Sequence, residues 1–329
     1  MKTIKTIGLL GGGVIGAGWA ARGLLNGRDV VMFDPDPDAE KKTAEVMANA
    51  RRAYAQISPS GLPDEGKLRF ANSIGDAVEG ADFVQESLPE REDLKKSVLA
   101  EACQVLHPDV IIGSSTSGLL PSRIQADLPN PERFVVGHPF NPVYLMPLVE
   151  VCGGDLTSPE TKDDAMAFYT SIGMRPLHVR KEIDGFIADR LMEALWREAL
   201  WMINDDVATA GEIDDAMRFG PGLRWSFMGT FMTYRIAGGT GGMRHFMEQF
   251  GPTLALPWTK LMDVPDLTDE LVDKIAMQSD DQAGDASIRD LERLRDDCLI
   301  SVMQALESQN YGAGEVLGRY RQRLQKGDW

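Results

Sequence analysis

The sequence predicts an α/β fold: an N-terminal Rossmann-type doubly wound sheet followed by a C-terminal all-helical domain. Three observations predict it. An apolar strand at the N-terminus runs into a glycine-rich turn and a helix. Strand-length apolar runs then alternate with helical stretches through the first half of the chain. From residue 183 onward the pattern is helical, punctuated by Gly and Pro. The expected division is residues 1–182 for a dinucleotide-binding domain and 183–329 for the helical one.

Thr6–Leu10 reads as a buried parallel strand. It ends in Gly11-Gly12-Gly13-Val14-Ile15-Gly16, and a helix continues through Leu25. Gly11, Gly13 and Gly16 fit G-x-G-x-x-G in the strand-to-helix context that this pattern requires. Gly11 permits a tight turn, Gly13 lets the backbone approach a pyrophosphate, and Gly16 lets the helix lie close on the strand. Val14 and Ile15 open the helix, whose N-terminus faces the phosphate charge. The strand Asp29–Phe33 ends at Asp34, where an acid can bind both adenosine ribose hydroxyls and repel a 2′-phosphate. The expected cofactor is therefore NAD rather than NADP. Asp34 would also serve as a cap for the helix after Pro35.

A long helix over Asp36–Ile57 is broken by Ser58-Pro59-Ser60-Gly61-Leu62-Pro63. Leu68–Ala71 and Ala81–Ser87 read as strands, the second delivering Glu90 to the carboxyl edge of the sheet. Helix Arg91–Leu106 and strand Val110–Gly113 come next. That strand presents Ser114-Ser115-Thr116-Ser117-Gly118 at the same edge, with Ser115 toward the cofactor. Any one of these hydroxyls can simply cap the next turn; beside a base, one can instead bind a reacting oxygen.

The stretch His138–Glu150 is the chemical centre of the chain. Arg133–Gly137 reads as a buried strand, and Pro139, Pro142 and Pro147 exclude a helix from the segment after it. Leu148–Val151 returns as a strand carrying Glu150. A carboxylate on one ring nitrogen of His138 fixes the imidazole tautomer and leaves the other nitrogen to take a proton. As isolated residues, His138 and Glu150 would equally read as strand-end side chains.

Beyond residue 183, Phe186–Asp205 reads as a mostly buried helix, with Leu191, Leu195, Trp196 and Trp201 around its girth. Ala210–Phe219, Arg224–Ala237, Met243–Phe250 and Thr268–Ala276 read as further helices. Ser287–Gln309 adds another, with Ile288, Leu291, Leu294, Cys298, Val302 and Leu306 on one stripe. The charged tail Gly312–Trp329 is compatible with a helix.

Composition narrows the partners. The net charge of −16 argues against nucleic acid and an anionic membrane, and makes a polyanionic coenzyme A thioester less welcome. Three cysteines without metal-ligand spacing point to reduced thiols in a cytoplasmic protein, with no metal expected. Met1–Lys5 leads directly into a strand, so no signal peptide is expected, and no apolar run is long enough to span a membrane.

The glycine turn, the Ser-rich strand end, the His138-Pro139-Phe140-Asn141-Pro142 segment and the Leu148-Val149-Glu150 strand resemble the 3-hydroxyacyl-CoA dehydrogenase family over nearly the whole chain. The resemblance implies that His138 is the catalytic base, Glu150 its orienting acid and Ser117 the catalytic hydroxyl, with Asn141 beside the substrate. It also implies a homodimer. One departure matters. The acyl-CoA enzymes carry an active-site asparagine in Gly-Phe-Ile-x-Asn-Arg, which here reads Gly185-Phe186-Ile187-Ala188-Asp189-Arg190. A carboxylate at Asp189 suits a cationic substrate; it can also hydrogen-bond Ser117 or face the nicotinamide.

Gly113–Ser122, Glu193–Trp201 and Thr233–Gly239 resemble the branch of the family that oxidises a small trimethylammonium hydroxy acid. Such a cation is recognised by ring faces and negative charge. Phe140 and Tyr144 are the leading candidates, ahead of Phe186, Trp196, Trp225, Phe227 and Tyr234. Arg190, Arg224 and Arg235 are candidates for the substrate carboxylate. The rival readings are another 3-hydroxy acid (L-gulonate included) or a 3-hydroxyacyl thioester as substrate, and a non-catalytic dinucleotide-binding protein. The intact Ser117, His138 and Glu150 set argues against the last.

Overall fold

Eight short strands pair side by side into one sheet, whose central strands are apolar and buried on both faces while the edge strands are partly exposed. The computed structural model describes residues 3–58, 61–226, 229–238, 240, 242–250, 259, 266, 268–271, 273–274 and 285–327. The strands are β1 (Thr6–Leu10), β2 (Asp29–Phe33), β3 (Leu68–Phe70), β4 (Phe83–Glu86), β5 (Ile111–Ser114), β6 (Phe134–Pro139), β7 (Leu148–Cys152) and β8 (Arg175–Val179). Their order is β3-β2-β1-β4-β5-β6-β7-β8. Pairing is parallel through β6, β7 runs antiparallel to β6, and β8 is parallel to β7. The strand order reverses between β1 and β4, where a doubly wound sheet opens a crevice at its carboxyl edge.

Two apolar layers clothe the sheet. On one face lie α1 (Val14–Leu25), α2 (Ala39–Ile57) and α6 (Pro159–Ser171), burying Trp19, Leu24, Met47, Tyr54, Phe168 and Tyr169. On the other lie α3 (Ile74–Val78), α4 (Glu92–Ala102) and α5 (Pro121–Gln125), burying Ala77, Val78, Leu99 and Ile124. Tyr169 crosses the sheet centre. A Cβ at Gly113 or Gly137 would fall 2.5 or 1.9 Å from its hydroxyl oxygen, so both strands need glycine there. The short α3 and α5, and the pair α6 and β8 that extends the sheet past β7, are not among the elements expected from sequence.

The helical half contains α7 (Ala188–Asn204), α8 (Ala210–Phe219), α9 (Pro221–Trp225), α10 (Thr230–Ala237), α11 (Gly242–Phe250), α12 (Ile288–Glu307) and α13 (Gly312–Lys326). The single helix expected over Arg224–Ala237 is therefore divided into α9 and α10. Of the helix expected at Thr268–Ala276, residues 269–271 and 273–274 are helical, while 275–276 lie outside the described residues. The tail is helical through Lys326; Trp329 lies outside the described residues.

Two burial expectations are corrected. In α7 only Leu200 and Ile203 are buried, and Leu191 and Trp196 are 65% and 54% exposed. Its charged residues Asp189, Arg190, Glu193, Arg197 and Glu198 interrupt the apolar surface, and Met192 and Leu195 are exposed as well. In α12, Leu294, Cys298 and Val302 face solvent; the side chains of Ile288 and Leu291 lie outside the described residues. The opposite side of α12, with Asp296, Ile300 and Met303, is the one that packs inward. It fixes α12 to the first half of the chain, where Arg52 pairs with Asp297 at 2.5 Å. Among the described residues, no helix is long and apolar enough to cross a membrane.

Candidate active site

The cofactor cradle begins where β1 ends. Gly11 has φ 102°, and a Cβ there would lie 2.5 Å from the Ser87 carbonyl oxygen, so the turn requires glycine twice over. A Cβ on Gly16 would lie 1.9 Å from the Gly11 carbonyl oxygen. Gly13 differs: a Cβ there would meet nothing within 4 Å, so its open side is available to a ligand. No side chain caps α1 at Gly13, which leaves the first amides of the helix for an anion. Asp34 ties the end of β2 to this turn. Its Oδ2 accepts the Gly12 amide at 2.5 Å and its Oδ1 accepts the Asp36 amide at 2.8 Å. An open phosphate cradle with an acid beside it fits an NAD cofactor.

The edge formed by β4 and β5 contains a network that the sequence did not reveal. Ser115 Oγ accepts from Trp19 Nε1 at 3.0 Å and Gln85 Nε2 at 2.9 Å, and shares a hydrogen bond with Ser87 Oγ at 3.0 Å. Both lone pairs and the proton of Ser115 are thus committed when it donates to Ser87. Its hydroxyl ties β4, β5 and α1 together at the edge where the cofactor is expected. Glu90 gathers the loop above. Its Oε1 accepts from Thr116 Oγ1, from the Ser117 amide at 3.1 Å and from the Gly118 amide at 2.9 Å. Burial pushes the Glu90 carboxyl up, but the bonds from Thr116 and Gly118 and the charge of Lys95 outweigh it and hold the carboxyl below its ordinary value. Beneath them, buried Lys95 donates to Glu86 Oε1 at 2.7 Å and Ser114 donates to Glu86 Oε2 at 2.5 Å.

His138 and Glu150 lie directly opposite each other in the β6–β7 ladder, so their side chains leave the same face. Nδ1 of His138 is 3.0 Å from Glu150 Oε2. The other carboxylate oxygen, Oε1, accepts the amides of Ile187 at 3.0 Å and Ala188 at 2.9 Å, where α7 begins. Those amides are delivered by a turn in which Gly185 has φ 70° and Phe186 φ 46°. A left-handed conformation at a buried phenylalanine is uncommon and costs on the order of 1–3 kcal/mol. On the far side of the ring, Asp189 Oδ2 is 3.6 Å from His138 Nε2. Burial raises the Asp189 carboxyl above its ordinary value; His138 pulls it back, and Glu150 and Glu193 add to the rise.

The remaining candidates divide. Phe140 packs edge-on against the His138 ring at 4.8 Å, and Phe186 lies at 5.7 Å. Asn141 and Ser117 are exposed, and among the described residues no hydrogen bond joins Ser117 Oγ to His138. Tyr144 is corrected: its buried hydroxyl donates to Asp296 Oδ2 at 2.5 Å, so the ring is packed toward α12 and not toward the imidazole. Trp196, Trp225 and Tyr234 stand exposed on α7, α9 and α10, and Phe227 lies outside the described residues. Arg190 donates to the Asp184 carbonyl at 3.2 Å, while Arg224 and Arg235 are exposed. Arg22 is a residue that sequence reasoning missed. From α1 it donates to the carbonyls of Val143 at 2.7 Å and Met146 at 3.0 Å, and so holds the loop after His138 against the cofactor helix. Among the described residues, no group of His, Cys, Asp and Glu is arranged to hold a metal ion.

With Nδ1 occupied by a carboxylate, Nε2 is the ring nitrogen left to accept a proton from a group between it and Asp189. Known proteins resemble this chain in sequence and in fold. The family model described as "3-hydroxyacyl-CoA dehydrogenase, NAD binding domain" matches residues 6–183, and "3-hydroxyacyl-CoA dehydrogenase, C-terminal domain" matches 185–277. An L-carnitine dehydrogenase of Mesorhizobium japonicum is 59% identical over 99% of this chain and 91% of its own. One from Pseudomonas aeruginosa is 58% identical over 92% of this chain and 94% of its own. Among solved structures, an NAD+-dependent 5-formyl-3-hydroxy-2-methylpyridine 4-carboxylic acid 5-dehydrogenase superposes with a TM-score of 0.78 at 28% identity. That match covers 93% of this chain and 99% of the other.

Proposed function

The chain belongs to the 3-hydroxyacyl-CoA dehydrogenase family and is an NAD-dependent dehydrogenase acting on a CH–OH group; from that premise we propose that it oxidises the 3-hydroxyl of L-carnitine to 3-dehydrocarnitine. The observation that carries the proposal is the Asp189 carboxylate, 3.6 Å from His138 Nε2. In carnitine the ammonium nitrogen is two bonds from the hydroxyl carbon, which puts it roughly 3 Å from the reacting oxygen. A hydroxyl on Nε2 therefore carries its cation into the immediate reach of Asp189, where opposite charge attracts. A neutral acyl chain would gain nothing from that carboxylate.

His138 takes the hydroxyl proton on Nε2 as the carbinol carbon gives up its hydride. Glu150 holds the ring through Nδ1 and stabilises the imidazolium as it forms. Ser117, carried on the loop gathered by Glu90, donates to the developing oxyanion. The Phe140 ring and Asn141 form the mouth of the pocket, with the ring face toward the methyl groups of the cation. The backbone at Gly11, Gly13, Val14, Ile15 and Gly16 holds the pyrophosphate, and Asp34 the adenosine ribose. When bound, NAD supplies the hydride acceptor at nicotinamide C4.

Residues 1–182 carry the cofactor and 183–329 carry Asp189 and the contact with a second copy in this reading. The exposed apolar faces of α7 and α10, where Phe231 is 80% exposed, support a homodimer. Three free cysteines are consistent with a cytoplasmic setting.

The test is NADH formation with L-carnitine, L-3-hydroxybutyryl-CoA and L-gulonate in parallel. Turnover on carnitine alone is the expected result. Turnover on the thioester or gulonate in its place would remove the cationic substrate, and binding of NAD without turnover on any alcohol would remove the enzyme reading.

A further inference from the structure

We propose that Phe186 is a positioning residue of the site, whose left-handed backbone turns the Ile187 and Ala188 amides onto Glu150 and so fixes the carboxylate that orients His138. The inference rests on His138 acting as the base. Glu150 is fully buried, and a buried carboxylate needs donors for its remaining lone pairs. Oε2 is taken by the imidazole, and Oε1 is satisfied by two amides that come from the other half of the chain. Both amides come from consecutive residues at the start of α7, so the path of the chain into that helix decides whether they meet Oε1. Gly185 at φ 70° and Phe186 at φ 46° set that path immediately before α7.

Glycine would make such a turn without strain, so a phenylalanine at the second position calls for a reason. Its ring supplies one. It is 1% exposed, lies 5.7 Å from the His138 ring and belongs to the apolar layer with Val136 and Cys152 of the neighbouring strands. Phe186 thus anchors the turn to the strands that carry His138 and Glu150. The ring seats the turn against those strands, while the left-handed backbone angle aims the amides at Glu150.

The groups whose charge bears on the imidazole are Glu150 from β7 and Asp189 from α7, with Glu193 acting on Asp189. Two amide donors spread the negative charge of Glu150. Without them more of that charge faces the imidazole and favours its protonated form. The acid limb of kcat/KM for alcohol oxidation, which reports deprotonation of the free base, then moves to higher pH.

The experiment compares Phe186→Val and Phe186→Gly in the full-length enzyme, with the pH profile of kcat/KM and the NAD Kd as readouts. Valine resists positive φ, whereas glycine accepts it and keeps the amides in place. The expected result is an acid limb raised by about half a unit or more in Phe186→Val and unmoved in Phe186→Gly, with NAD Kd unchanged in both. An unmoved limb in Phe186→Val, or an equal rise in both variants, would overturn the assignment of the turn. If Phe186→Val does not fold, Phe186→Ala, which also disfavours positive φ, carries the same comparison with a smaller rise. Failure of the underlying base assignment reads differently: His138→Ala would then keep full activity, whatever the Phe186 variants do.

Discussion

Asp189 Oδ2 lies 3.6 Å from His138 Nε2, on the ring edge opposite the one bonded to Glu150. The imidazole is therefore flanked by two carboxylates of different duty. One is fully buried and bonded by amides, and the other is partly exposed.

Asp189→Asn removes the charge and keeps the shape. With the carboxylate partly solvated, its attraction for a cation a few ångströms away is worth roughly 2 kcal/mol, about thirtyfold in affinity. KM for L-carnitine should rise by that factor while NAD binding is unchanged. Steady-state kinetics with a separate cofactor titration checks it; an unchanged KM would remove Asp189 from cation recognition.

Glu150→Gln tests the tautomer. A carboxamide can still accept the Ile187 and Ala188 amides through its oxygen, which turns its NH2 toward His138 Nδ1. Nδ1 becomes an acceptor, the ring proton moves to Nε2, and the base is lost. The expected result is a fall in kcat of roughly 10²–10⁴-fold with the fold intact, read by turnover and circular dichroism.

Gly13 and Gly16 separate cofactor contact from chain packing. A Cβ at Gly13 meets no protein atom, so Gly13→Ala should keep the melting temperature and raise the NAD Kd by roughly tenfold or more. A Cβ at Gly16 collides with the Gly11 carbonyl, so Gly16→Ala should lower both stability and affinity. Thermal melts and fluorescence titration of both variants check the contrast.

Tyr144→Phe should cost about 1.5–3 kcal/mol of stability through the lost bond to Asp296, and leave KM for carnitine unchanged. Denaturant melts alongside kinetics check it. A raised KM with unchanged stability would return Tyr144 to the substrate pocket.

Local order decides what could be read from the sequence. The Gly11–Gly16 turn and Asp34 succeed one another along the chain, and their spacing carries the chemistry. His138 and Glu150 were legible as partners because a proline-rich loop between two apolar runs returns one strand beside the other. The network around Ser115 was not legible because its partners are distant in sequence: Trp19 is 96 residues away and Gln85 is 30. Tyr144 was misread for the same reason, since Asp296 lies 152 residues further on. The α7 expectation failed differently. A helix apolar around most of its girth announces that it must be covered, but its pattern does not say whether the cover belongs to its own chain or to a second copy. The Ile187 and Ala188 amides on Glu150 had no side-chain signal at all, beyond a glycine placed just before them.

The most direct measurement compares kcat/KM for NAD+ reduction by L-carnitine with that by its neutral isostere, in which a tert-butyl group replaces trimethylammonium. The two have the same shape and the same hydroxyl, and differ in the charge that faces Asp189. The isostere is predicted to be poorer by about a hundredfold, the loss expected when both Coulomb attraction and ring-face contacts are removed. Equal kcat/KM values, within about threefold, would contradict cation recognition, because a site blind to the cation has no use for a carboxylate beside its base.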